Sequence, residues 1–273
     1  MGICGCVCRV IAVTVVVVGM SACGQAIEDV SLSEVKEGVL WLPSVSLDLS
    51  YYTKHIDNGY ISNADGNVQS ELRFGLKGFY AGVSSVFDMT GACGYDRDFS
   101  EWNYVLGYEA EFSDLPLFGS LQLGVEWLYE DYPRAAADDI QELSLSLVLT
   151  ELPFAPNAVV SWDYENDVFS GSVGVAHSKA LALIDERLSW DSAFDVVWGS
   201  RAWNEGEYGS RRRGASSLVI NTGPVFALSE NFSVGSTLVL GRALGGGVER
   251  AWREDEWNCA TNAALIIWVS ASF

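Results

Sequence analysis

Basic residues are scarce in this 273-residue chain: 16 Lys and Arg stand against 36 Asp and Glu, a formal net charge of −20 at pH 7. A chain of that sign repels nucleic acid, and nothing in it resembles a basic binding patch. Histidine is scarcer still. His55 and His177 are the only two, and neither lies in a context resembling the Ser, His and Asn set of barrel phospholipases or the Asp and His pair of barrel proteases, which argues against an enzyme. Of six cysteines, Cys4, Cys6, Cys8 and Cys23 crowd the start of the chain, leaving Cys93 and Cys259, too few and too far apart for a zinc site. The Gly245-Gly246-Gly247 run is read as a flexible loop and not a phosphate cradle, because no helical pattern follows it. No cofactor is expected. Beyond residue 26 no apolar run reaches the about 20 residues of a membrane helix, although 49% of the chain is hydrophobic and 12% aromatic. Apolar surface in that amount, without a helical span, must be buried in a β core or in lipid.

The first 26 residues read as an export signal: Arg9 precedes an apolar run from Val10 to Met20, followed by small residues at Ser21, Ala22, Gly24 and Ala26. Cleavage after Ala26 suits an ordinary signal peptidase. Met20-Ser21-Ala22-Cys23 also resembles a lipoprotein signal, in which Cys23 becomes the lipidated first residue, and both routes stand. Residues 27–43 are read as a periplasmic lead-in and 44–273 as one β domain.

The strongest pattern after the signal is alternation with period two. In LQLGVEWLY, Leu121, Leu123, Val125, Trp127 and Tyr129 share one face, and Gln122, Gly124 and Glu126 the other; a helix could not hold these apolar residues together. ELSLSLVLT and WNYVLGYEAEF repeat the arrangement. The whole chain divides into about twelve candidate strands, near 44–53, 68–77, 79–88, 101–112, 118–130, 141–151, 158–165, 168–178, 188–200, 215–227, 231–242 and 259–273, with ten or fourteen as the other counts. Their connections alternate between short (Lys77-Gly78, SDLPL, LSEN) and long and polar (KHIDNGYISNADGN, RAWNEGEYGSRRRG, ALGGGVERAWREDEWN). An even strand number with short turns at one end and long loops at the other predicts an all-β fold, a single transmembrane up-and-down antiparallel barrel with its long loops outside.

A soluble sandwich also alternates, so the position of the aromatics discriminates. Trp102, Tyr104, Trp127, Tyr129, Trp162, Tyr164 and Trp198 fall towards the outer-loop ends of the outward faces, and Phe112, Trp190, Phe226, Phe232 and Phe273 towards the opposite ends, with aliphatics between. Two girdles flanking an aliphatic band mark two membrane interfaces. The opposite faces carry Asp48, Glu71, Arg73, Lys77, Glu109, Glu126, Glu142, Asp163, Asp191 and Asp195 among small residues, the expected lining of a wet lumen. Acids outnumber bases there, which predicts cation preference in a channel with no recognisable plug. Cys93 and Cys259 both map to the outer-loop side and form a candidate disulfide pair, two unpaired thiols being the other reading.

The last strand, ALIIWVSASF, sets Leu265, Ile267, Val269, Ala271 and Phe273 on one face and ends on Phe. It resembles the carboxy-terminal signal read by the bacterial barrel-assembly machinery. The stretch from SYYTKHIDNGY to LRFGLKGFYAGV is similar to small porins of the TorF-like kind, with Asn58-Gly59 where that family usually has Arg-Gly. The resemblance implies an outer-membrane porin-like channel for small solutes, its partners being membrane lipid, lipopolysaccharide and the assembly machinery. A plugged barrel with a structural or adhesion role, and then a barrel hydrolase, are the alternatives.

Overall fold

The computed structural model describes residues 43–90, 98–116, 119–133 and 139–273. The expected signal segment, Cys23 and all but the end of the lead-in lie outside the described residues. Among the described residues fourteen strands are formed: β1 (Ser44–Tyr52), β2 (His55–Asp57), β3 (Tyr60–Asn63), β4 (Asn67–Leu76), β5 (Phe79–Asp88), β6 (Phe99–Leu115), β7 (Gly119–Asp131), β8 (Ile140–Leu149), β9 (Pro156–Asp163), β10 (Val168–Ala180), β11 (Leu188–Gly199), β12 (Gly214–Ala227), β13 (Phe232–Ala243) and β14 (Thr261–Ser272). All except β2 and β3 join one closed antiparallel barrel of twelve strands, each paired with its neighbour in sequence order. The twelve expected strands are thus all present, with ends shifted by a few residues. Closure runs through β1, which pairs with both β4 and β14. Val45 and Phe273 exchange two backbone hydrogen bonds of 2.9 Å across the seam, so the sheet has no open edge there.

The alternation has the physical consequence predicted. Leu106, Leu145, Val173 and Ile267 are each more than half exposed on the outer face. Among the described residues no helix is long and apolar enough to cross a membrane. An apolar belt carried outward by every strand is a lipid-facing surface, and the closed ladder satisfies the backbone polar groups that lipid cannot. The aromatic girdles flank it: Tyr104 stacks with Tyr129 at 6.1 Å and Trp162 with Phe169 at 5.8 Å near the outer loops. At the other rim Phe79 meets Tyr108 at 4.6 Å and Phe232 meets Phe273 at 5.6 Å. The barrel is a transmembrane one. Folded protein in mild detergent is therefore expected to migrate faster on a gel before boiling than after, and identical migration would contradict closure.

The short connections lie at the rim shared by Ser44 and Phe273. Lys77 and Gly78 make the tight turn between β4 and β5, both with positive φ (52° and 83°), the geometry of a two-residue hairpin turn. Lys77 is therefore exposed in that turn and not on the lumen wall where parity placed it.

The long loops depart furthest from expectation. The first carries the β2–β3 hairpin, a separate two-stranded sheet. The fifth forms helix α1 (Arg201–Tyr208), capped by the Ser200 side chain accepting from the Trp203 backbone N–H at 3.2 Å and ended by Gly209 at φ 67°. The sixth forms helix α2 (Gly246–Glu254), which corrects the reading of Gly245-Gly246-Gly247 as a flexible loop. The glycines disfavour a helix locally. They are overridden because Val248 and Trp252, four residues apart, bury one face, while Glu249 and Arg253 pair at 2.9 Å on the other.

Candidate functional site: a barrel lumen with an inward-folded loop

The inner wall from β4 to β8 carries a polar cluster drawn from β4, β5 and β7. Arg73 pairs with Glu71 at 2.9 Å and lies 3.9 Å from Glu126. The Tyr80 hydroxyl donates to Glu126 at 2.9 Å, and the Arg73 guanidinium sits 4.6 Å over the Tyr80 ring. Gly107 makes this reach across β6 geometrically available, since a Cβ there would come within 2.1 Å of the Tyr80 ring. Beside it the Gln122 amide donates to Glu109 at 3.0 Å. Ser144 donates to Glu142 at 2.9 Å and shares a 2.7 Å hydroxyl contact with Ser161. Asp48 stands opposite Glu71 in the β1–β4 register.

On the far wall Asp191 accepts from Ser178 at 2.6 Å, and Asp195 lies beside Gly174. Asp163 is at the outer rim, where it caps the β9–β10 turn by accepting from the backbone N–H groups of Glu165 and Asn166, both at 3.1 Å. The expected inward acids lie on strand faces opposite the exposed apolar belt, with Asp163 at the outer rim. Higher on the β6–β7 wall lie two acids that were not singled out as site residues. Glu101 accepts from the Asn103 amide at 2.6 Å, Glu130 accepts from the Tyr132 hydroxyl at 2.6 Å, and both are buried.

The first loop folds into the barrel, where Asp57 comes within electrostatic reach of Glu130. The β2–β3 hairpin rests on the inner faces of β13 and β14, and the Asn258 side chain makes both hydrogen bonds of a strand partner to Ile61: it accepts from the backbone N–H at 2.8 Å and donates to the carbonyl at 2.9 Å. Asn262 donates to the Gly59 carbonyl at 3.0 Å, and the Tyr60 hydroxyl donates to Asp255 at 3.0 Å. At the hairpin tip Gly59 lies against Gly241 so closely that a Cβ on Gly241 would fall 2.2 Å from the Gly59 Cα. On its other side Asn63 donates to Asp88 on β5 at 2.8 Å.

Around the hairpin a hydrophobic cluster forms inside the barrel: Ile56 and Ile61 from the hairpin, Trp203 and Tyr208 from α1, Trp252 from α2, and the wall residues Val197, Val219 and Val239. Tyr60, Tyr208 and Trp252 converge with ring centroids 5.6–5.8 Å apart. The expectation of no plug is corrected here: part of the mouth is filled. A signal for it was present in the sequence. The alternation fails where Leu218-Val219-Ile220 and Leu238-Val239-Leu240 are apolar on both faces, and an inward valine needs an apolar cover.

The remaining candidates are dispersed. His177 packs on Phe154 at 5.4 Å. Ser192, opposite it in register, shares a 2.8 Å contact with the Thr222 hydroxyl. Cys259 is a free, exposed thiol, and Cys93 lies outside the described residues.

No family model matches the chain, and no curated protein does. Among solved structures it is similar to the KdgM porin, with a TM-score of 0.48 and 8% identity over 84% of this chain and 99% of that one. It is similar also to an outer membrane channel, COG4313, from Pseudomonas putida F1, with a TM-score of 0.45 and 11% identity over 88% of this chain and 100% of the other. The Salmonella typhi outer membrane phospholipase matches with a TM-score of 0.43 and 11% identity, covering 87% of this chain and 94% of that one.

Proposed function

We propose that this chain is a porin-like channel of a bacterial outer membrane, passing small solutes with a preference for cations through a mouth narrowed by its first loop. The observation that carries this reading is the partly hydrated charged wall inside a closed barrel: Arg73, Glu71 and Glu126 keep 21%, 16% and 13% of their side-chain surface accessible. A packed, sealed core has no use for such groups. Arg73 is held by Glu71, so Glu109, Glu142, Asp191 and Asp195 leave the wall net negative, and rings of acids favour cations.

In a salt gradient the reversal potential is expected to show cation preference that weakens as the Debye length falls from about 30 Å at 0.01 M to about 3 Å at 1 M. Changing Glu126 to Gln and Asp191 to Asn together is expected to reduce it. Anion preference in the wild type would remove the proposal for these acids.

Leu265, Ile267, Val269 and Phe273 form the outward face proposed as the segment read by the barrel-assembly machinery. Membrane lipid and lipopolysaccharide are the proposed surroundings, with Arg211, Arg212 and Arg213 exposed on the fifth loop for anionic headgroups. The alternative of a plugged barrel with a structural role draws support from the apolar loop cluster in the mouth. Steady single-channel current through the refolded protein separates the two.

A further inference from the structure

The β2–β3 hairpin and its seat are unlike the rest of the barrel in how their polar groups are satisfied. The hairpin is tied to the wall by side chains and one glycine contact, not by a continuous strand ladder. Its neighbour α1 buries polar atoms that find no partner: Trp203 Nε1, Asn204 Oδ1 and Glu207 Oε2. Such atoms carry their full desolvation cost while they stay buried and recover it when water reaches them, and the hairpin meets α1 where Tyr60 packs on Tyr208. Among the described residues no cation pairs with the Glu207 carboxylate, and the charged group within its electrostatic reach is Asp57, on the hairpin itself.

We propose that the β2–β3 hairpin is a gate, docked on α1 and the β13–β14 wall while Glu207 is protonated and released from the mouth when that carboxylate ionises. The inference rests on the channel reading for its consequence, but not for the motion.

The groups around the contact determine the pH range. Burial, and then the Asp57 charge, push Glu207 well above the ordinary carboxylate range, so docking takes up a proton there. His55, on the hairpin, is pulled down to about 4 by desolvation, so docking releases a proton there at any pH between that value and the ordinary one of about 6.5. Tyr208 is pushed up by burial and stays neutral. Asp255 is engaged by Tyr60, Arg211 is held by Glu205 at 2.7 Å, and Glu130 on β7 lies within reach of Asp57.

Between about pH 4.5 and 6.5 the Glu207 and His55 effects oppose each other and docking changes little. Above about pH 6.5 the His55 contribution ends, and the Glu207 proton weakens docking about tenfold per pH unit.

The test uses the protein in lipid vesicles with Cys93→Ser and Ile61→Cys. Ile61 is 2% exposed, so its replacement thiol reports release of the hairpin, and the exposed native Cys259 serves as an internal reference that cancels the pH dependence of the labelling chemistry. The ratio of the two rates with a membrane-impermeant maleimide is expected to be low and flat from pH 5 to 6.5, then to rise about tenfold per unit. Adding Glu207→Gln should abolish the rise above pH 6.5 and leave His55 alone to raise the ratio as pH falls towards 5, and adding His55→Gln should start the upward rise near pH 5. Gly241→Val, which leaves Gly59 no room, should make it high at every pH while heat-modifiable migration shows an intact barrel. A ratio that stays low and flat while the Gly241→Val protein labels fast overturns the gate, as does a rise above pH 6.5 that survives Glu207→Gln. If labelling rises but conductance of the same samples does not, the channel reading fails and the docking switch stands.

Discussion

Replacing Leu145 with Arg is expected to abolish stable insertion of the barrel, whereas replacing its neighbour Ser146 with Lys is expected to leave insertion intact. Leu145 is 55% exposed in the middle of β8, flanked across the strand pairs by Val125 and Val160, which are 46% and 44% exposed. In water three such side chains in a row would be a liability. In a bilayer they sit at the depth where an arginine costs about 2–4 kcal/mol, a large part of the roughly 5–15 kcal/mol that holds a typical domain folded. Ser146 faces the lumen against Gly124 and near Glu109, so a cation there meets water and an acid. The fraction of heat-modifiable protein after refolding into vesicles measures both. Equal tolerance at the two positions would mean that the outer belt does not face lipid.

Changing Asn258 and Asn262 together to Ala is expected to release the first loop from the mouth and enlarge the single-channel conductance. Three backbone groups then lose their partners: the N–H and carbonyl of Ile61 and the carbonyl of Gly59. Each buried group left unsatisfied costs about 1–3 kcal/mol, so the docked state should lose at least about 3 kcal/mol, on the order of a hundredfold in its population. The barrel ladder is untouched, so heat-modifiable migration should persist. Rapid proteolysis within residues 53–66 confirms release. Release without any gain in conductance would show that the hairpin is not the constriction, and the narrowing would then have to be sought lower, at Arg73, Glu71 and Glu126.

Most of the wall was legible because a barrel strand obeys a local rule. Lipid on one side and water on the other impose period two on every segment, and that period survives in the sequence even where strand ends drift by a few residues. The same parity set Glu71, Arg73, Glu109, Glu126, Glu142, Asp191 and Asp195 on the faces opposite the apolar belt without any knowledge of which strand neighbours which. It failed for Lys77, where the chain leaves the strand for a turn and parity no longer means orientation.

The contents of the lumen obey no such rule. Asn258 lies 197 residues from Ile61, and no periodicity links a loop asparagine to the backbone it will clamp. Gly241 reads as an ordinary inward residue of β13 until Gly59 is set upon it. The α2 helix begins in three glycines and exists because Trp252 has a pocket among Tyr60, Tyr208 and the valines of the wall. The sequence alone thus determined a twelve-stranded, lipid-facing barrel with an acidic interior, since each strand reports its own two environments. Only the tertiary structure decided that the first loop turns inward and covers Glu207, because that outcome depends on contacts between segments that meet only after the barrel has closed.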